Sequence, residues 1–324
     1  MPEMPEVESL ARWLSQRTTG LLIDKVDLLA ISALKTFDPS LTDLRGRRIV
    51  GWSRRGKYLI AETDVGAGSD SAGSDSAGSD SAGSDSAGSD SADEPIFLCM
   101  HLARAGWIRW QDDLAFSASA KPGVKPKLTK GPQALRMIFD DGSGFTATEA
   151  GTDKRLAVHV VRNPDDVEKI RTLGIDPLSE AFTAEAFSAL LEGQGRSQIK
   201  GVLTEQSLLA GVGNAYSDEA LHAAKLSPFK PANGLSGDER ERLRVAVIEM
   251  LTEAIARSAG KPASELKDAK RTGMRVHART GLPCPVCGDT VREVSFATKS
   301  IQYCPTCQTG GTPLADRRLS RLLK

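Results

Sequence analysis

Residues 199–221 read IKGVLTEQSLLAGVGNAYSDEAL. Two helical segments flank LLAGVGN, where glycines permit a tight turn and Asn214 can start the second helix. Exposed amides at that helix start, which the glycines allow a ligand to approach closely, make a natural phosphate cradle. Taken bare, the motif reads equally well as a helix–helix corner.

The pattern around this stretch is helical, with segments expected near 183–192, 197–206, 214–224 and 236–258. Upstream the period changes. Val7, Leu10, Ala11 and Leu14 predict a leading helix over Val7–Arg17, after which β-like runs take over. These are LIDKVDLL, RIVGW, KYLIAE, IFLCMHL, GWIRW, ALRMIFDDGSGFTAT and RLAVHVV, with a hairpin-turn signal in DDGSG. The expected architecture is α+β and multidomain, opening with an antiparallel β-sandwich or barrel over 1–162. A linker over 163–180, a helical domain over 181–275 and a cysteine-bearing basic tail over 276–324 follow.

The net charge of zero is an average over unlike segments. Residues 69–94 carry six Asp and one Glu with no Lys or Arg, whereas residues 261–324 carry 12 Lys or Arg against 5 Asp or Glu. The acidic block is GSDSA repeated five times from Gly68 to Ala92. It has no apolar residue larger than Ala to offset the entropy of ordering, so a disordered insert over 66–94 is expected. No apolar run approaches a membrane span and no cationic leader precedes an apolar core, so a cytoplasmic protein is expected.

Four of the five cysteines, Cys284, Cys287, Cys304 and Cys307, are spaced C-x2-C-x16-C-x2-C. Thiolates at this spacing can share one tetrahedral zinc, and with all four places filled the site is structural. A pair of disulfides is the alternative, for which an oxidising compartment is needed. Cys99, in an apolar run, reads as a core thiol.

The chain opens MPEMPEVE. Once Met1 is removed, Pro2 becomes a terminal secondary amine, some of it unprotonated near neutral pH and able to attack an aldehyde carbon. Glu3 beside it can shuttle protons. The same residues also suit a first helical turn, with Pro5 in that turn and Glu6 and Glu8 at its positive end. In SRRGKYLIAE, Arg54, Arg55 and Lys57 cluster at a turn before a strand, either as a solvated charge run or with Lys57 directed into a cleft to bind phosphate.

Together these segments resemble the formamidopyrimidine-DNA glycosylase / endonuclease VIII family of base-excision repair enzymes, from the first residue to Cys307. MPEMPEVE resembles the family's start, RRGKYL its strand lysine, MHLARAG its His-Leu-Gly-Met segment and GVGNAYSDEAL its helix–two-turn–helix. VHARTGLPCPVCG and YCPTCQ resemble its zinc-finger hairpin. The resemblance implies a bifunctional DNA glycosylase and abasic-site lyase acting on oxidised bases in double-stranded DNA, as a monomer holding one structural zinc. It implies that Pro2 is the nucleophile at C1′ and Glu3 the acid that assists sugar ring opening. Glu6 then helps position the site, Lys57 contacts phosphate or the lesion, and Asn214 grips backbone phosphate.

Departures from the family pattern bear on substrate choice. Arg104 stands where the family usually has methionine, and TDKRLA replaces Asp-Pro-Arg-Arg-Phe-Gly, so Lys154 and Arg155 match while Leu156 replaces the aromatic. Those family side chains fill the gap left by an extruded base, and Leu156 is expected to act as a smaller wedge. Lys299 takes an arginine's place in the finger and loses its bidentate phosphate fork. Two rivals remain open: a lyase or damage-binding protein without base excision, and a non-enzymatic zinc-finger DNA-binding protein.

Overall fold

The structure, a computed structural model, describes residues 2–65, 94–115, 132–296 and 300–315. The GSDSA repeats and Lys299 lie outside the described residues.

Helix α1 (Met4–Thr18) begins with Pro5 in its first turn, where a missing amide costs nothing. Val7, Leu10, Ala11 and Leu14 recur on one face and are buried in the core of the N-terminal sandwich. One sheet of that sandwich has the order β1-β6-β7-β5, formed by Ile23–Leu28, Gln133–Phe139, Gly144–Glu149 and Gly106–Gln111. The other has the order β2-β3-β4-β8, formed by Ile49–Arg55, Tyr58–Thr63, Phe97–His101 and Ala157–Val161. Every pairing is antiparallel. The DDGSG turn joins β6 to β7, with Gly142 at φ +83°.

The second sheet is apolar on both faces. Leu59 and Ala61 of β3 point into the sandwich, while Tyr58 and Ile60 pack behind it with Cys99, Val161, Val167 and Ile170. Val167 and Ile170 belong to the stretch expected as a linker. Burying them orders a 3-10 turn (Pro164–Asp166) and a short helix, α2 (Glu168–Arg171), on the back of the sheet.

The helical half comprises α3 (Ala184–Gly193), α4 (Ile199–Thr204), α5 (Asn214–Ala223) and α6 (Gly237–Ser258) around a second core. The Thr183 and Ser236 hydroxyls cap α3 and α6. A further helix, α7 (Leu266–Thr272), has no counterpart in the periodicity reading. Ala263 before it and Leu266 at its start are buried in the sandwich core, and Trp107 Nε1–H donates to the Ala263 carbonyl at 2.9 Å. The chain therefore crosses back onto the first domain before entering the finger, β9 (Arg292–Ser295), β10 (Ser300–Tyr303) and α8 (Pro305–Thr309). Among the described residues, no helix is long and apolar enough to cross a membrane.

Candidate active site

The chain start lies on the seam between the two cores. Met4 is buried with the helical core, while Val7, one turn on, belongs to the sandwich. Pro2 is buried and lines a cavity of about 580 Å³ together with Glu6, Arg104, Trp107, Lys270 and His277.

Glu3 and Glu6 are each 2% exposed, so each carboxylate needs internal partners. The backbone N–H groups of Ala215 and Tyr216, at the start of α5, donate to Glu3 Oε1 and Oε2 at 3.0 and 3.4 Å. The amides expected to cradle phosphate thus cradle a carboxylate of the chain itself. Glycines make this possible. A Cβ on Gly213 would stand 2.4 Å from the Glu3 carboxyl carbon, and Gly211, at φ +86°, accepts from the Met4 amide at 3.1 Å. Glu6 Oε1 accepts from Tyr216 Oη at 2.5 Å, and Glu6 Oε2 accepts from the Glu3 amide and Lys270 Nζ, both at 2.8 Å.

Burial works to raise the Glu3 pKa. The charges of Lys270 and Lys57 and the two backbone donors outweigh it and hold the carboxyl at about 2. Glu3 is therefore a carboxylate in the resting site, so any role as an acid requires a proton acquired during the reaction. Tyr216 moves the other way, its phenol pushed up by burial and by the charge and hydrogen bond of Glu6.

Lys57 is 8% exposed at the β2–β3 turn, which Gly56 closes at φ +56°. Burial lowers its pKa, with Glu3 opposing and Lys270 reinforcing the effect. Of the basic cluster in SRRGKYL, Lys57 alone contributes to this site. Arg54 pairs with Glu8 at 2.9 Å and with Asp176, and Arg55 pairs with Asp165.

Lys270 was missed by the sequence reading. Its Nζ lies 2.8 Å from Glu6 Oε2, 3.6 Å from Glu3 Oε1 and 4.7 Å from the Tyr216 ring centroid. Burial works to lower its pKa, but Glu3 and Glu6 raise it on balance, which holds the group as ammonium. The available signal was Leu266 and Ala269 at helical spacing in ELKDAKR, which the surrounding charges obscured.

The remaining expected DNA contacts are dispersed. Arg104 is exposed on the β4–β5 turn at the cavity. Lys154 Nζ donates to the Glu149 carbonyl at 2.6 Å, and Arg155 is exposed and paired with Asp153 at 2.7 Å. Leu156 is 2% exposed in the sandwich core, and its amide is held by Glu149 Oε1 at 3.0 Å. Leu156 therefore faces the core, because an apolar side chain at the edge of β8 gains more from the core than from solvent, whereas the expected wedge role needs it directed at DNA. Asn214 Nδ2 donates to the Ser300 carbonyl on β10 at 2.9 Å, while its buried Oδ1 has no partner among the described residues.

In the finger, Cys284 Sγ lies 3.9 Å from Cys307 Sγ, and Cys287 Sγ lies 3.4 Å from Cys304 Sγ. A tetrahedral zinc with Zn–S bonds of about 2.3 Å requires sulfur separations of about 3.8 Å, so the four thiols fit one structural zinc. A histidine adjoins them. His222 Nε2, on α5, is 3.3 Å from Cys284 Sγ, and the ligand atoms of His222, Cys284, Cys304 and Cys307 all lie within 4.8 Å of one another.

Three families match along the chain. The formamidopyrimidine-DNA glycosylase N-terminal domain matches residues 1–155, and the formamidopyrimidine-DNA glycosylase H2TH domain matches residues 173–265. The zinc finger found in FPG and IleRS matches residues 281–310. A formamidopyrimidine-DNA glycosylase of Parasynechococcus marenigrum is 30% identical over 95% of this chain and 100% of its own length. An uncharacterised formamidopyrimidine-DNA glycosylase-like protein of Mycobacterium tuberculosis is 59% identical over 48% of this chain and 96% of its own. The solved structure of Lactococcus lactis Fpg in complex with an abasic site containing DNA superposes with a TM-score of 0.74. It is 26% identical and covers 95% of this chain and 99% of that one. With its N-terminal, H2TH and zinc-finger segments matched in order, the chain belongs to the formamidopyrimidine-DNA glycosylase family.

Proposed function

We propose that this protein removes oxidised bases from double-stranded DNA and then cleaves the strand at the resulting abasic site, with Pro2 as the nucleophile. The placement of Pro2 on the cavity wall, beside the buried carboxylates of Glu3 and Glu6 and the Lys270 ammonium paired with both, carries this reading. With Met1 removed, the Pro2 amine forms a bond to C1′ and the glycosidic bond breaks. Breaking of the C1′–O4′ bond, with a proton delivered to O4′, then gives the iminium, whose acidified C2′ proton leaves as the 3′ phosphate is expelled by elimination. Glu3, ionised at rest, lies where its charge can steady that cation and where it can take up and return a proton. Holding Lys270 as ammonium removes it as a competing nucleophile.

Lys154, Arg155 and Arg104 are assigned to the DNA-facing surface, and Asn214 to a phosphate contact through its unpartnered Oδ1 side, by way of water or a rotated amide. Zinc, held by Cys284, Cys287, Cys304 and Cys307, supplies structural charge and fixes the hairpin. Asn214 grips that hairpin through Ser300. The protein is proposed to act as a cytoplasmic monomer.

Borohydride reduction on abasic-site duplex, followed by peptide mapping, tests the nucleophile. A covalent adduct at Pro2 in protein lacking Met1, with no adduct when a residue precedes Pro2, is expected. An adduct at Lys57, whose pKa is also lowered, overturns the assignment. A parallel base-release assay on duplex containing an oxidised base separates a glycosylase, which frees the base, from a lyase, which does not.

A further inference from the structure

We propose that Lys270 is a positioning residue of the Pro2 site: its ammonium group clamps the Glu3 and Glu6 carboxylates and presents the nucleophile with two fixed negative charges. The inference rests on the assignment of Pro2 made above. Its geometric basis is the reach of one Nζ to both carboxylates, 2.8 Å to Glu6 Oε2 and 3.6 Å to Glu3 Oε1, within the cavity that Pro2 lines.

Lys270 is held in place by its own helix. Trp107 Nε1–H donates to the Ala263 carbonyl at 2.9 Å, Lys267 Nζ lies 4.6 Å from the Trp107 ring centroid, and Leu266 is buried in the sandwich core. These contacts tie α7 across the seam, so Lys270 reaches Glu3 and Glu6 from a different element than α5, over the Tyr216 ring. The Ala215 and Tyr216 amides hold Glu3 from the α5 side. A carboxylate gripped from two sides cannot swing away when a sugar enters, which preserves the geometry of attack.

The clamp also sets the protonation of Glu3. The groups facing it are Glu6 on α1, Tyr216 on α5, Lys57 at the β2–β3 turn and Lys270 itself. Lys267 and Arg271 on α7, together with Arg104, His277 and Arg279, complete the charged lining of the cavity, and Arg257 on α6 acts on Tyr216. Glu3 is buried, so removing the Lys270 charge leaves desolvation less opposed and moves its titration upward.

The test is the pH profile of base excision and of borohydride trapping under single-turnover conditions for wild type, Lys270→Gln and Lys270→Arg. Gln keeps a hydrogen-bond donor without the charge, and Arg restores the charge. The Pro2 amine must be unprotonated to attack and so sets the acid limb, and losing the ammonium in the same cavity favours its protonated form. For Lys270→Gln that limb should move to higher pH by about one unit, a roughly tenfold loss at a pH on the limb with little change on the plateau. Lys270→Arg should return the limb toward wild type. A uniform rate loss with an unmoved limb, or a limb that Arg does not restore, overturns the clamp. Should Lys270→Gln fail to fold, Lys270→Arg alone still decides. A retained charge predicts a limb within about half a unit of wild type, and a larger shift overturns the clamp. Failure of wild type to trap at Pro2 refutes the nucleophile assignment instead, so the two failures are distinguishable.

Discussion

Replacing Glu3 with Gln keeps the side chain's shape and removes its charge. In the folded protein the Glu3 carboxyl is held at about 2 against an ordinary value of 4.5. Each tenfold change in proton affinity is worth about 1.4 kcal/mol, so the ionised form favours folding over the neutral form by roughly 3 kcal/mol. Because the folded pKa is the lower one, this contribution is fully present above pH 4.5 and is lost as pH falls through about 2. Gln mimics the protonated acid at every pH. Urea unfolding of wild type and Glu3→Gln, each with Met1 removed, should therefore differ by roughly 3 kcal/mol at pH 7, and the gap should narrow as pH falls below 4.5. Comparing the pair at each pH cancels zinc loss, which both proteins share. A gap under about 1 kcal/mol at pH 7, or one that does not change with pH, would show that the carboxylate is not held by these charges and amides.

Gly213→Ala should destabilise the protein by more than about 2 kcal/mol in thermal unfolding, because the added Cβ would lie within 2.4–2.8 Å of the Glu3 side chain. Gly201→Ala in α4, where nothing lies within 4 Å of the added Cβ, should instead stabilise by up to about 1 kcal/mol. Leu156→Ala should cost about 3 kcal/mol in urea unfolding, as a truncation in a packed core does, whereas loss of an exposed wedge would leave stability unchanged. Cys304→Ser should lower bound zinc and weaken DNA affinity while the sandwich stays folded. His222→Phe should retain zinc yet release it faster to a chelator, read by a colorimetric dye, because the contact to Cys284 Sγ is lost.

Much of this protein is written locally. Short β-like runs punctuated by turn residues marked the strands, because chain-breaking turn residues bound a strand locally wherever it sits. Helical spacing placed α1, α3, α5 and α6 within a residue or two of their observed ends at most termini, and the two Cys-x2-Cys knuckles set the metal-ligating quartet. The proposal of a terminal-proline nucleophile likewise starts from the sequence, since it depends on one atom and its covalent state.

Tertiary structure decided what depends on partners far apart in the chain. The α5 amides face Glu3, 212 residues away, and not an exposed phosphate site, because the chain start is folded onto the glycine turn. Leu156 enters the core because the edge of β8 closes over it, a position that no local pattern distinguishes from a wedge. Val167 and Ile170 convert an expected linker into a covering for β3 and β4. Lys270 was invisible in a charge-dense run because charge alone does not say which lysine will meet buried carboxylates. It lies 264 residues from Glu6, and only the crossing of α7 over the seam brings its ammonium to the two carboxylates that stabilise it.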